Sequence, residues 1–311
     1  MLQTHVLKIA LAGLLASLAG CNFVSPETVA SSDGVIILTD VDFDPASLIP
    51  ETQPVADYLA NNLRRADISQ GEVNIAPDVE TVAEWMTSGE VNLYFDSVYP
   101  AMTVMKRSGA RPILRRWKDG VPEYSTYFVV RSDSEIEEIA DLNGRMITLQ
   151  EPSSSSGFMF PMSYLLTLGL DPTEKAEVNH TVESDEIGYV FSGQEEVTVD
   201  WVLAERVAAG AIDSETWSEL PAEEQAQLKI IAETDAFPRH VVLAGPTLTD
   251  EQIAVLKKAL LEMDESRQGQ KALEAFSETS QFDEFPEGAE EAIARLQASY
   301  DQLQAHLAQQ L

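Results

Sequence analysis

Glu151-Pro152-Ser153-Ser154-Ser155-Ser156-Gly157-Phe158-Met159-Phe160-Pro161 sets four serines and a glycine between a strand predicted at 145–149 and a helix predicted at 155–168. Asp141-Leu142-Asn143-Gly144-Arg145 leads into it. Helix N-termini present unpaired N–H groups and a partial positive charge. Serine hydroxyls add donors there, and glycine lets a ligand or another backbone come close. The stretch reads as an oxyanion cradle that needs no basic residue. It reads equally as a capped helix after a polar loop.

Strand and helix signals alternate on both sides of this segment. Upstream they fall at 34–39 (strand), 53–63 (helix), 73–76, 79–86, 91–95, 98–105 and 112–117. Downstream they fall at 177–180 (strand), 185–192 (helix), 197–202 (strand) and 228–232. Such alternation predicts α/β units with largely parallel sheets. Two stretches, 124–131 and 239–244, read as extended connectors between the units. Thr249-Asp250-Glu251-Gln252 is a capping box opening a helix with Ile253, Leu256, Leu260 and Met263 on one face. A last helix carries Ile293, Leu296, Tyr300, Leu303 and Leu307, a spacing that suits packing onto the body better than a two-heptad coiled coil.

Composition removes several function classes. The 311 residues hold 52 Asp and Glu against 20 Lys and Arg, a net charge of −32. Nucleic acid and anionic membrane surfaces are poor partners for that field. At 44% hydrophobic residues, the chain is a folded acidic protein and not a disordered one. One Cys and four scattered His leave no disulfide framework, and no metal site or cofactor is expected. No Gly-x-Ser-x-Gly elbow, His-Glu-x-x-His or P-loop occurs, so no enzyme is expected. A triad drawn from Ser154–Ser156, His180 and an Asp is not demanded by spacing, because capping already explains the serine row. The basic residues Lys106, Arg107, Arg111, Arg115, Arg116 and Lys118 cluster in one stretch. They read as a solvated face paired with acids, or as a steering patch.

The single cysteine closes Leu18-Ala19-Gly20-Cys21, after an apolar run from Ile9 to Ala19 whose leading segment carries only Lys8 as a formal charge. The run is too short to span a bilayer and suits a signal peptide. Small residues before the Cys resemble the lipobox of bacterial lipoproteins. That resemblance implies a signal at 1–20, lipidation of Cys21, a tether at 21–33, and export to the periplasm or cell exterior with membrane contact through the anchor alone. About 290 residues then remain, enough for two lobes.

The serine segment is similar to the Asp-Pro-x-Ser-Thr-Ser-Gly-aromatic motif of the periplasmic phosphonate/phosphite/phosphate-binding proteins of ABC importers. Ser154, Ser155 and Ser156 fall on its three hydroxyl positions. Glu51–Leu59, Ala76-Pro77-Asp78, Gly89–Leu93 and Asp133–Ile136 resemble further segments of that family, in order. The resemblance implies a two-lobed α/β periplasmic-binding-protein fold with two hinge crossings. One lobe is expected at 34–123 plus 245–311, the other at 132–238, and hinge segments at 124–131 and 239–244. It also implies a monomer that captures a small phosphorus oxyanion and hands it to a membrane permease.

Departures from the family pattern matter as much. Val79 stands where phosphonate binders often carry an aromatic, and Asp96 falls on a second aromatic position in Tyr94-Phe95-Asp96-Ser97-Val98-Tyr99-Pro100. Counting back from Gly193-Gln194 puts Glu183 on the family's second-lobe His, with His180 three residues earlier. Asp200 and Trp201 close a predicted strand, where ligand contacts gather in open α/β sheets. The expected ligand contacts are therefore Ser154, Ser155, Ser156, Asp96, Tyr99, Glu183 and Asp200. Three carboxylates among them leave open an amine-bearing or zwitterionic solute, and a separate reading, a receptor module for a membrane sensor, also stays open.

Overall fold

The computed structural model describes residues 34–42, 45–64 and 68–310. The signal at 1–20 and the tether at 21–33, with Cys21, lie outside the described residues. Among the described residues no helix is long and apolar enough to cross a membrane.

The chain starts with β1 (Val35–Val41), α1 (Pro45–Asn62), β2 (Gln70–Ala76), α2 (Val79–Ser88), β3 (Leu93–Asp96), α3 (Val98–Ser108) and β4 (Arg111–Arg116). The β1 run Val-Ile-Ile-Leu is buried centrally, as a strand covered on both faces requires. It pairs parallel with β2 and with β3. The expected helix at 53–63 begins eight residues earlier, because α1 runs through Pro50 and Pro54. The prolines cost helical hydrogen bonds, but Val55, Ala56 and Leu59 are fully buried against the sheet. Gly71 of β2 allows that approach: a Cβ there would lie 2.2 Å from the Ala56 carbonyl oxygen.

β5 (Glu123–Tyr124) then leads to the second lobe: β6 (Thr126–Arg131), β7 (Met146–Leu149), α4 (Phe160–Thr167), β8 (Pro172–Glu174), β9 (Ile187–Phe191), α5 (Glu195–Leu203), β10 (Ala209–Asp213), α6 (Ser214–Glu219), α7 (Ala222–Gln225) and β11 (Leu228–Glu233). The chain returns through β12 (Phe237–Pro238) and finishes with β13 (His240–Ala244), α8 (Asp250–Leu261), α9 (Arg267–Ala275), β14 (Phe282–Asp283) and α10 (Ala289–Gln310). The two large sheets are mixed and six-stranded, in the orders β14-β4-β13-β3-β1-β2 and β11-β6-β10-β7-β9-β8. This is the two-lobed α/β architecture with two crossings.

The crossings lie elsewhere than the extended stretches suggested. Most of 124–131 is β6, a strand of the second sheet, and most of 239–244 is β13, a strand of the first. The link between lobes is the two-stranded ribbon of β5 and β12, pairing Tyr124 with Phe237 and Glu123 with Pro238. Both long strands read as connectors because an interior strand and an extended linker share one apolar pattern.

Three element assignments also change. No strand forms at 177–180, which is loop and turn. The helix expected at 185–192 is β9, whose Ile187-Gly188-Tyr189-Val190 is buried on both faces. The strand expected at 197–202 is α5, and its buried residues Glu195, Thr198, Val199 and Val202 show the helical spacing. The small residues of β10 gave no signal at all.

The capping box at Thr249 is present, with both reciprocal bonds formed. α10 packs on the body, burying Leu296, Tyr300 and Leu303. It grips both lobes. Gln304 Nε2 donates to Tyr99 Oη at 3.0 Å on the first, while Gln302 Oε1 accepts from Ser163 Oγ at 2.9 Å on the second. One hydrophobic core accordingly runs across the lobe boundary, joining Tyr94 and Met102 to Phe128, Phe158 and Leu296.

Candidate ligand-binding cleft

The serine segment forms a tight entry to α4. Ser155–Met159 is a π-helical turn, in which Met159 N–H donates to Ser154 O at 3.0 Å. Single π turns of this kind are frequent at functional sites. Ser154 caps the turn: its Oγ accepts from Gly157 N–H at 2.8 Å and donates to Gln150 Oε1 at 2.7 Å. Gly157 is required by space, since a Cβ there would meet Gln150 Cβ at 2.3 Å.

The other hydroxyls point outward from the turn. Ser155 Oγ accepts from Tyr99 N–H at 2.8 Å, across the lobe boundary. Ser156 Oγ lies 3.4 Å from Glu195 Oε1. Both serines are buried, and Ser153 is exposed beside Glu151.

A cavity of about 650 Å³ opens over this turn. The second lobe contributes Gln150, Ser153–Ser156, Glu195 and Asp213; the first contributes Val41, Val79, Asp96, Ser97 and Pro100. Tyr124, Arg239 and His240 line it where the lobes join. Arg239 stacks on Tyr124, its guanidinium carbon 4.7 Å from the ring centroid, and pairs with Glu215 at 2.6 Å.

Carboxylates dominate the cavity, and burial reshapes their titration. Asp96 accepts from Tyr94 Oη and from Ser97 N–H at 2.6 Å, yet burial still raises it above the ordinary carboxylate range. Behind it, Asp40 is pushed up to about 7 by burial and then by the charge of Asp96. Glu195 is pushed up by burial and then by the charge of Asp213. Its Oε2 accepts from Asp213 N–H at 2.9 Å. Asp213 is the N-cap of α6, accepting from Thr216 N–H at 2.7 Å. His240 lies well below its ordinary value, through burial and then the charge of Arg116, so its ring is neutral.

The sequence-predicted residues divide. Ser154, Ser155, Ser156 and Asp96 come together on this cavity. Tyr99 starts α3 beside it, but its ring turns away toward Phe158, Tyr300 and Gln304. Glu183 is exposed in the loop before β9, where its N–H donates to Glu186 Oε1 at 2.8 Å, and it does not line the cavity. The ungapped count that placed it ran through an irregular loop. His180 is exposed in the same loop. Asp200 lies on the exposed face of α5, since that segment is a helix and not a strand. Trp201 packs under Arg206.

Glu195, Asp213, Arg239 and His240 were not singled out from the sequence. Asp213 and His240 sit at strand ends, the usual place for ligand contacts in α/β sheets. The basic stretch at 106–118 is mostly committed to ion pairs, among them Lys106 with Asp301 at 3.2 Å and Arg107 with Glu80 at 3.1 Å. Arg116 is buried, donating to Thr279 Oγ1 and Phe276 O at 2.8 Å each. Among the described residues no group of three or more His, Cys, Asp or Glu is placed to hold a metal ion.

Residues 40–287 match the family described as "ABC transporter, phosphonate, periplasmic substrate-binding protein". The phosphate-import protein PhnD of Mycolicibacterium smegmatis is 30% identical over 131 residues, a match spanning 40% of this chain and only 40% of that relative's length. Among solved structures, XAC2383 from Xanthomonas citri bound to chloride ion is 25% identical with a TM-score of 0.79, covering 88% of this chain and 99% of its own. PhnD1 from Prochlorococcus marinus, in complex with methylphosphonate, shares the fold at 17% identity and a TM-score of 0.56, covering 87% of this chain and 99% of its own. With the family match running from the end of the first strand to just before the last helix, the chain belongs to the periplasmic substrate-binding proteins of phosphonate ABC transporters.

Proposed function

We propose that this chain is a lipid-anchored receptor, tethered through Cys21, that captures a phosphonate-type oxyanion in the serine cleft and delivers it to an ABC permease. The observation that carries this reading is the convergence of Ser154, Ser155 and Ser156 on an interlobe cavity in a member of this family. The first-turn amides at 155 and 156 have no helical carbonyl to bond. Together with the Ser155 and Ser156 hydroxyls they offer donors to an anionic oxygen, and the helix dipole adds to them. Binding needs no chemistry. The lobes close about the β5–β12 ribbon, and closure removes the head group from water.

A second reading concerns the rest of the ligand. Glu195, Asp213 and Asp96 face the same cavity, where a bare dianion meets like charge. An ammonium group on the ligand would offset that repulsion and restore Glu195 to its ionised form. A zwitterionic phosphonate therefore suits the cavity better than phosphate or phosphite. Titration calorimetry of the full chain with methylphosphonate, aminoethylphosphonate and phosphate tests both points. Tightest binding of aminoethylphosphonate supports the reading, and phosphate binding tightest of the three contradicts it.

A further inference from the structure

A second cavity, of about 830 Å³, lies between the C-terminal turns of α10 and the β8–β9 edge of the second lobe. It shares no lining residue with the serine cleft. Its wall is an aromatic corner. Phe158 stands 5.3 Å from Phe191 at 66°, and Tyr189 stands 5.5 Å from Phe191 at 79°. Phe158 and Tyr189 are themselves 6.2 Å apart at 46°. Phe158 and Tyr189 are buried and Phe191 is partly buried, so these rings form the inner wall of the cavity, and an aromatic wall attracts a cation placed against it.

The remaining charges agree in sign. Asp171 and Glu174 line the cavity and are exposed, while no Lys or Arg lines it. The adjacent Lys175 is committed to Glu186. His306, the other titratable group of the rim apart from the tyrosines, is bonded through Nε2 to Pro172 O at 2.8 Å. An independent observation points the same way. Tyr189 is fully buried, and among the described residues its hydroxyl has no hydrogen-bond partner. A buried hydroxyl without a partner carries a penalty that a ligand N–H would remove. None of this is used by the serine cleft.

We propose that this cavity binds a small organic diamine, with one ammonium against the aromatic corner and the Tyr189 hydroxyl and the other at Asp171 and Glu174. The aromatic corner is buried and the carboxylates are exposed, so a chain with a charge at each end matches the polarity from floor to mouth.

The test is calorimetry of the full chain in detergent with putrescine as the probe. Saturable binding of one equivalent is expected. Glu174→Gln, on an exposed side chain that leaves folding intact, should weaken it about tenfold, and Tyr189→Phe, which keeps the ring, should weaken it severalfold. Glu195→Gln should leave putrescine binding unchanged, and Glu174→Gln should leave methylphosphonate binding unchanged. Absence of saturable putrescine binding, or putrescine affinity that falls with Glu195→Gln and not with Glu174→Gln, overturns the proposal. Because methylphosphonate is titrated separately, failure of this site is distinguishable from failure of the serine cleft.

Discussion

Ser155 Oγ, on the second lobe, accepts a 2.8 Å hydrogen bond from the N–H of Tyr99 on the first lobe. That amide belongs to the first turn of α3, where no helical carbonyl can reach it. A serine of the expected cradle therefore completes the helix start opposite, and its own proton stays available for a ligand oxygen.

Ser155→Ala removes this interlobe bond and leaves a first-turn amide unpaired. A neutral hydrogen bond contributes about 0.5–1.5 kcal/mol net, so the closed arrangement should lose up to about tenfold in population. Small-angle scattering of the unliganded chain should show a larger radius of gyration for the variant. An unchanged scattering curve would separate the bond from lobe closure.

Ser154 has a different task. As the N-cap of the π turn it satisfies Gly157 N–H, and its replacement by Ala should cost about 1 kcal/mol of stability. Thermal melts should place Ser154→Ala below Ser156→Ala, whose hydroxyl contacts the side chains of Glu195, at 3.4 Å, and Tyr124. Equal melting temperatures would contradict the capping role.

The buried carboxyls make stability depend on pH in a defined direction. Asp40, raised to about 7, and Glu195, also raised, are less acidic folded than unfolded. The stabilisation they allow is fully present below their unfolded values and is lost as pH rises through the folded ones. Melting temperature should therefore fall between about pH 5 and pH 8. Glu195→Gln should melt higher than the parent chain at the upper pH and close to it at the lower. His240, held well below its ordinary value, opposes this fall up to about pH 6.5, so the comparison with Glu195→Gln decides: a difference between variant and parent that does not widen as pH rises would show that Glu195 is ionised and stabilised when folded.

Cys21→Ser, which removes the thiol to be lipidated, should move the protein from the membrane fraction to the soluble one. Unchanged membrane association with an unmodified mature N-terminus in mass spectrometry would remove the anchor.

The fold was legible where local signals agreed with burial. The first-lobe strands and helices up to residue 117 stand close to their predicted positions, apart from the early start of α1, because each strand is a short run with apolar residues flanked by turn residues. The second lobe was harder. β9 and α5 were exchanged in type: Asp185-Glu186 imitated a helix start, and Val197, Val199 and Val202 imitated a strand until the buried Glu195 and Thr198 supplied the helical spacing. At the cleft, the serine row was visible because donors concentrate in one segment. Asp213, Arg239 and His240 were not, because they are isolated residues brought in by two strand ends far apart in sequence, Asp213 at the end of β10 and Arg239-His240 at the start of β13. Glu183 was chosen by counting along the chain, which an irregular loop defeats, and Asp200 as the end of a predicted strand that is in fact the helix α5.

Phosphonate capture by the serine turn is the central proposal. The direct measurement is calorimetric titration of methylphosphonate into the full chain and into a Ser155→Ala, Ser156→Ala double variant, with Glu183→Gln as the reference. Hydrogen bonds to a charged acceptor contribute about 1.5–3 kcal/mol each, so the double variant should bind roughly two orders of magnitude more weakly or worse, and Glu183→Gln should bind like the parent. A double variant that keeps the parent affinity, or a loss confined to Glu183→Gln, would contradict the assignment of the cleft.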